Sequence, residues 1–348
     1  MDKETLRKLI NSNIPTRRKS IDYLAMLLGY HPYYFTYDGI EAEKHYGEKL
    51  GQHQLELAMI VCEQLLKNPR LANNPQLLKM KALYDSGKHA EALAYFRTFE
   101  KNIKSGKESV IDIGPAFTYF RCGTLSPNLP KIHKADIKYR LYLDIGIEGR
   151  ALFTKKFIEA CEKKGIPYFF KVFGHKNQTD TVVIYVDTLD HLVESVNSIN
   201  EIYNDPKDKR LRMCTKSPAP HLPRVNSVIG YGFEPKSGSS FTNIMKGANK
   251  KIKDKEDALK ANIEEDFKSG RRYISKAQPD ITRPSIEEMR NFRSLSKEDK
   301  LKFFRKYGDY IFMAYGKQIK EIYSFIDQEM LKDRKFVDQD IDDSNGDR

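Results

Sequence analysis

Alternation of apolar and polar residues is clearest between Tyr139 and Asp187. In Tyr139-Arg140-Leu141-Tyr142-Leu143-Asp144, the residues Arg140, Tyr142 and Asp144 share one face and Leu141 and Leu143 the other, the period of a half-buried strand. A helical stretch follows with Phe153, Phe157, Ala160 and Cys161 on its apolar face. It stops at Gly165, with Lys163 and Lys164 in its last turn. Pro167-Tyr168-Phe169-Phe170-Lys171-Val172 reads as a second strand with Lys171 on the face of Phe169. Thr181-Val182-Val183-Ile184-Tyr185-Val186 is β-branched on both faces, as a central strand should be. Leu192, Val196, Ile199 and Ile202 give a second helix, and Leu211-Arg212-Met213-Cys214-Thr215 reads as a fourth strand. The order β-α-β-β-α-β predicts a split β-α-β unit.

Helical spacing governs the chain before this sheet. Ser20 is placed to cap a helix through Tyr23, Leu24, Leu27 and Leu28. A longer helix from about Glu41 to Lys67 carries Leu50, Leu57, Val61 and Leu65 on one face. A helical hairpin turns at Asp85-Ser86-Gly87-Lys88. It resembles half of a tetratricopeptide repeat, but no second copy follows at a fixed period. After the sheet, a basic helix spans about 243 to 270, and Pro279 and Pro284 mark a linker. A final helix from about Asp309 to Lys332 has Ile311, Tyr315, Ile319, Ile322, Ile326 and Met330 in a stripe.

The pattern predicts an α+β protein: an N-terminal helical region, a small mixed β-sheet flanked by helices, and a helical C-terminal extension. The expected boundaries are 1–105 for the helical region, 106–275 for the α+β domain, 276–335 for the extension and 336–348 for an acidic disordered tail.

Composition adds a sign and a compartment. The 348 residues carry a formal net charge of +12, but most lysines are interleaved with acids and read as solvated surface. A nucleic-acid partner is therefore not expected. No run of eighteen apolar residues and no leader-like start occurs, so neither a membrane span nor a signal peptide is expected. The four cysteines lie far apart, which points to a reducing compartment, the cytoplasm, and away from zinc. P-loop, dinucleotide, His-Glu-x-x-His and Gly-x-Ser-x-Gly motifs are absent, and no metal or cofactor is expected. His31, His45, His53 and His89 read as structural or surface residues.

Candidate chemistry gathers around the sheet. A cation on a half-buried strand needs a reason, and binding an anion is one. Arg140 and Lys171 are such cations, with Tyr142 between them in pattern. His175 follows the Lys171 strand, and His221 sits in the loop Ser217-Pro218-Ala219-Pro220-His221-Leu222-Pro223. The alternative is that Lys171 snorkels and Arg140 pairs with Asp144 or Asp187.

Four segments resemble the HopA-type bacterial effector family, whose domain also occurs as the lyase component of class V lanthipeptide synthesis. They are Arg140-Leu141-Tyr142-Leu143, Pro167 to Val172, Asp180 to Tyr185, and Gly230 to Phe241. The resemblance covers roughly 110 to 250. It implies phosphoserine or phosphothreonine β-elimination on a peptide or protein without a cofactor. It implies Lys171 as base, His175 or Tyr142 as acid, and Arg140 in a phosphate clamp. The family often has Arg just before the Asp180-Thr181 step, where this chain has Gln178-Thr179. Arg121, Lys176 or Lys246 would then complete the clamp, with His221 closing over the same end. Such a protein works in the cytoplasm of its own cell or is delivered by a specialised secretion system. The second reading is a non-catalytic module that holds an acidic or phosphorylated partner on the same face.

Overall fold

The computed structural model describes residues 1–6, 17–28, 39–95, 117–123, 125–173, 180–218, 222–236, 249–273 and 280–332. The fold is α+β, with a six-stranded sheet and helices around it. Two compact units result: Met1–Ile10, Thr36–Ala219 and Arg224–Gly232 form one, and Asn11–Phe35, Pro220–Pro223 and Phe233–Arg348 the other.

The first unit contains α2 (Gly39–Leu66), α3 (Pro75–Asp85), β1 (Phe117–Arg121), β2 (Tyr139–Ile145), α4 (Ile147–Lys164), β3 (Phe169–Phe173), β4 (Val182–Val186), α5 (Leu189–Asn204), α6 (Lys209–Cys214) and β5 (Thr215–Lys216). β6 (Gly230–Phe233) begins in it. The strands run in the order β1-β3-β4-β2-β5, with β6 also on β2, and every pairing whose register is resolved is antiparallel. Leaving out β1 and β6, this is the strand order of a split β-α-β unit, and β1 is added at the β3 edge. β4 lies at the centre, as its β-branched sequence requires.

The segment Leu211–Thr215 is a correction. It is helical through Cys214, and only Thr215–Lys216 pairs with β2, at Ile145 and Asp144. Asp205 caps the preceding turn through the Lys207 amide, and Pro206 sits at its first position, so helical punctuation there outweighs the apolar run.

One face of the sheet is a packed core. Phe120, Phe170, Ile184 and Leu141 stand side by side across β1, β3, β4 and β2, each at most 1% exposed. Phe157 of α4 meets Phe170 edge-on at 5.4 Å, and Phe120 stacks on Phe170 at 4.9 Å. α4 ends where expected, at Gly165 in the left-handed conformation with φ 71°. α2 packs against α4 with Leu57, Val61 and Leu65 buried.

The second unit holds α1 (Arg17–Leu27), α7 (Asn249–Ser269), α8 (Ile286–Asn291), α9 (Lys297–Lys306) and α10 (Gly308–Lys332). α1 starts at Arg17, so Ser20 lies inside the helix, buried, and is not its cap. α1 packs on α10 and α9, with Tyr23 against Tyr323 at 5.1 Å and its hydroxyl on Glu256 at 2.5 Å. The predicted stripe Ile311, Tyr315, Ile319, Ile322 and Ile326 is buried within this unit. The stretch after Pro284 holds two helices that linker punctuation concealed. Ser285 with Glu288 forms a full capping box, and Ser296 caps α9 through the Asp299 amide. Among the described residues no helix is long and apolar enough to cross a membrane.

Candidate functional site

The opposite face of the same strands carries the charges. Register places Arg121, Phe169, Tyr185 and Arg140 in one row across β1, β3, β4 and β2. The neighbouring row is Tyr119, Lys171, Val183 and Tyr142. Asp144 lies one row further along β2, opposite Lys216. The alternation predicted for Arg140, Tyr142 and Lys171 therefore holds in space: all three share a face with Arg121, because directly opposed residues of antiparallel strands point the same way.

Aromatic rings order the cations. Phe169 and Tyr185 lie 4.8 Å apart, the Arg121 guanidinium sits 4.6 Å from the Phe169 ring, and Arg140 sits 5.5 Å from the Tyr185 ring. Two cations thus flank two rings along one row. Lys171 leans the other way, with Nζ 5.6 Å from the Phe173 ring. The ring contacts of Arg140 and Lys171 thus lie in different rows of the face.

Exposure divides the face. Arg140, Tyr142, Asp144, Val183 and Tyr185 are all buried. Tyr119, Arg121, Lys171 and Phe173 are half-exposed. The open part is therefore the β1–β3 edge, where strand spacing puts the Cα atoms of Lys171 and Arg121 about 8 Å apart. Arg121 stands nearer to Lys171 than Arg140 does. Tyr119 is a site residue that the sequence patterns above do not single out. Its signal is the alternation of Phe117, Tyr119 and Arg121 with Thr118 and Phe120 along β1.

Asp187, one proposed partner of Arg140, bonds His191 Nδ1 at 2.7 Å. Asp144, the other, makes no hydrogen bond or ion pair with a described residue. Burial raises its carboxyl to about 6, against the opposing charges of Lys216 and Arg150. His175, Lys176, His221 and Lys246 lie outside the described residues.

Three further polar groups shape this end of the sheet. Arg150, only 2% exposed, donates from Nε to the Ile145 carbonyl at 2.9 Å and from Nη1 to the Phe173 carbonyl at 2.9 Å, so it ties the ends of β2 and β3. The Thr181 hydroxyl accepts from the Ile145 amide at 2.7 Å and donates to the Ile145 carbonyl at 2.9 Å. Asp180 before it takes φ 67°, a left-handed conformation that Asp tolerates better than most residues. The Asp180-Thr181 step thus has a structural task here, closing β2 onto β4. His53 of α2 is buried at 3% exposure beside Arg150 and the Phe173 carbonyl, with neither ring nitrogen in a hydrogen bond. Burial first, then the Arg150 charge, push its imidazole down to about 3. It is a structural, neutral histidine. No group of metal-ligating side chains occurs among the described residues.

No family model matches the chain, and no curated protein matches it.

Proposed function

We propose that the β1–β3 edge of the charged face binds a phosphorylated serine or threonine of a peptide or protein and eliminates its phosphate. The observation that carries this reading is the register. It sets Lys171 and Arg121 on adjacent strands of one half-exposed face, each beside an aromatic ring. The phosphate carries about two negative charges, which paired cations in a partly desolvated site hold well. Lys171 in its neutral form removes the Cα proton, the Cα–Cβ double bond forms, and phosphate leaves Cβ. Arg121 is the nearest clamp and Arg140 a deeper one. The resemblance of the strand segments to the HopA-type family belongs to the same proposal, as does a cytoplasmic site of action.

The second reading is binding without chemistry. The observation in its favour is that Arg121 and Arg140 are already held over rings, an arrangement suited to lasting recognition. Single-stranded RNA is disfavoured, because Phe169 and Tyr185 are buried and offer no face to a base.

Mass analysis after incubation with a phosphothreonine peptide separates the readings. A dehydrobutyrine product, lost in Lys171→Met, is the expected result. Unchanged peptide that stays bound supports the module, and a regenerated hydroxyl or an unbound peptide defeats both.

A further inference from the structure

Elimination needs two protons handled at once: one removed from Cα and one supplied to the bridging oxygen as phosphate departs. The sequence offers His175 or Tyr142 as the donor. Tyr142 is 7% exposed and stands two strands from Lys171, and His175 lies outside the described residues. Tyr119 is placed differently. It is the direct cross-strand neighbour of Lys171 in the β1·β3 ladder. Opposed residues in such a ladder have Cα atoms about 5 Å apart and side chains on the same side of the sheet. Both are half-exposed, on a face where Val183 and Tyr142, the next residues of their row, are buried. The Arg121 guanidinium lies 5.5 Å from the Tyr119 ring and 4.6 Å from that of Phe169.

We infer that Tyr119 is a catalytic residue of this site, the group whose phenol protonates the departing phosphate while Lys171 takes the Cα proton. The inference rests on the elimination reading of the same edge. The step balances. Lys171 Nζ accepts the Cα proton, the C–H electron pair becomes the Cα=Cβ bond, and the Cβ–O bond breaks. The bridging oxygen takes the Tyr119 hydroxyl proton, so phosphate leaves as its monoprotonated or diprotonated ion. The phenolate that remains is favoured by the cation over its ring. The extra proton on Lys171 then passes across the ladder to Tyr119, which restores both groups without an added reagent. Direct opposition in the ladder is what makes this return short, and no other tyrosine of the described sheet stands opposite Lys171.

The experiment is steady-state kinetics of the full chain on two peptides of the same sequence. One carries phosphothreonine; the other carries β-chloroalanine, whose chloride leaves unprotonated. Tyr119→Phe should lower kcat for the phosphopeptide about 100-fold or more, with KM unchanged. It should leave loss of HCl from the chloro-peptide near the wild-type rate, whereas Lys171→Met loses both reactions. A fluorotyrosine at position 119, close to isosteric and a stronger acid, should move the alkaline limb of kcat to lower pH. The inference is overturned by wild-type phosphopeptide turnover in Tyr119→Phe, by equal loss on both peptides, or by an unmoved limb. A wild-type chain that makes no dehydro-product from either peptide removes the elimination reading itself, and the role of Tyr119 with it. Wild-type elimination with an indifferent Tyr119→Phe removes only the latter.

Discussion

The two faces of one sheet differ by a single residue step along each strand, yet they obey different rules. The row Phe120, Phe170, Ile184, Leu141 is sealed under α4 and has no polar side chain. The row Arg121, Phe169, Tyr185, Arg140 sets a pair of rings between two cations and is left partly open at β1. The first face is what holds the unit together, since burial of large apolar side chains is the dominant favourable term. The second keeps cations where desolvation makes them costly, and a costly arrangement that persists is where function should be sought.

The contrast can be broken most forcefully by truncation. Phe170→Ala should destabilise the chain by about 3–5 kcal/mol, because it opens a cavity against Phe157 and Phe120. Lys171→Met, one residue on, should stay within about 1 kcal/mol of wild type. Urea denaturation of the two variants decides this. Equal losses would mean that the charged face is structural.

Acid separates the faces next. His53, on the helix side, has a folded-state pKa below its ordinary 6.5. The unfolded chain therefore binds the extra proton, and stability is lost as pH falls from 6.5 toward 3. By pH 4.5 the loss is about 2–3 kcal/mol. His53→Leu should remove that slope, which urea midpoints at pH 7 and pH 4.5 would show.

Asp144, on the charged face, has the opposite sign. Its pKa is raised from 3.8 to about 6, so the folded state holds the proton more tightly and stability is lost as pH rises through that window. The charges acting on it are those of Lys216, directly opposite on β5, and Arg150 of α4. Asp144→Asn should stabilise the chain by about 1–2 kcal/mol at pH 7.5 and by nothing below pH 4. Thermal melts at the two pH values test it.

The smallest effect concerns the arginines. Arg121→Met should cost about 0.5–1 kcal/mol in stability, from its contacts with Phe169 and Tyr119. It should also weaken phosphopeptide binding roughly tenfold. Arg140→Met should affect binding less, because Arg140 is buried. Calorimetric titration showing the reverse order would move the site from the edge to the buried half.

Much of this was legible beforehand. The period-two pattern of Arg140, Tyr142, Lys171 and their apolar neighbours sufficed to put them on one face, because register leaves few options once the other face must be buried. The helix stop at Gly165 and the stripe of α10 were likewise local signals. What stayed hidden was non-local. That Arg121 and Tyr119 join Lys171 depends on β1 pairing with β3, across some fifty residues of chain, and no spacing rule encodes that partner. The role of Arg150 likewise has no local signal, since it rests on the Ile145 and Phe173 carbonyls brought beside it by the fold. Leu211–Thr215 misled because a short apolar run fits either period, and the punctuation at Asp205-Pro206 decided it.

β1 is the end strand of the ordered ladder and is joined to β3 alone in it. Release of β1 would part Tyr119 and Arg121 from Lys171, but it would also pull Phe120 out of its stack on Phe170, so the inner face of the strand fastens its outer face in place. Amide exchange at 117–121 should then be slowed along with that of the core strands.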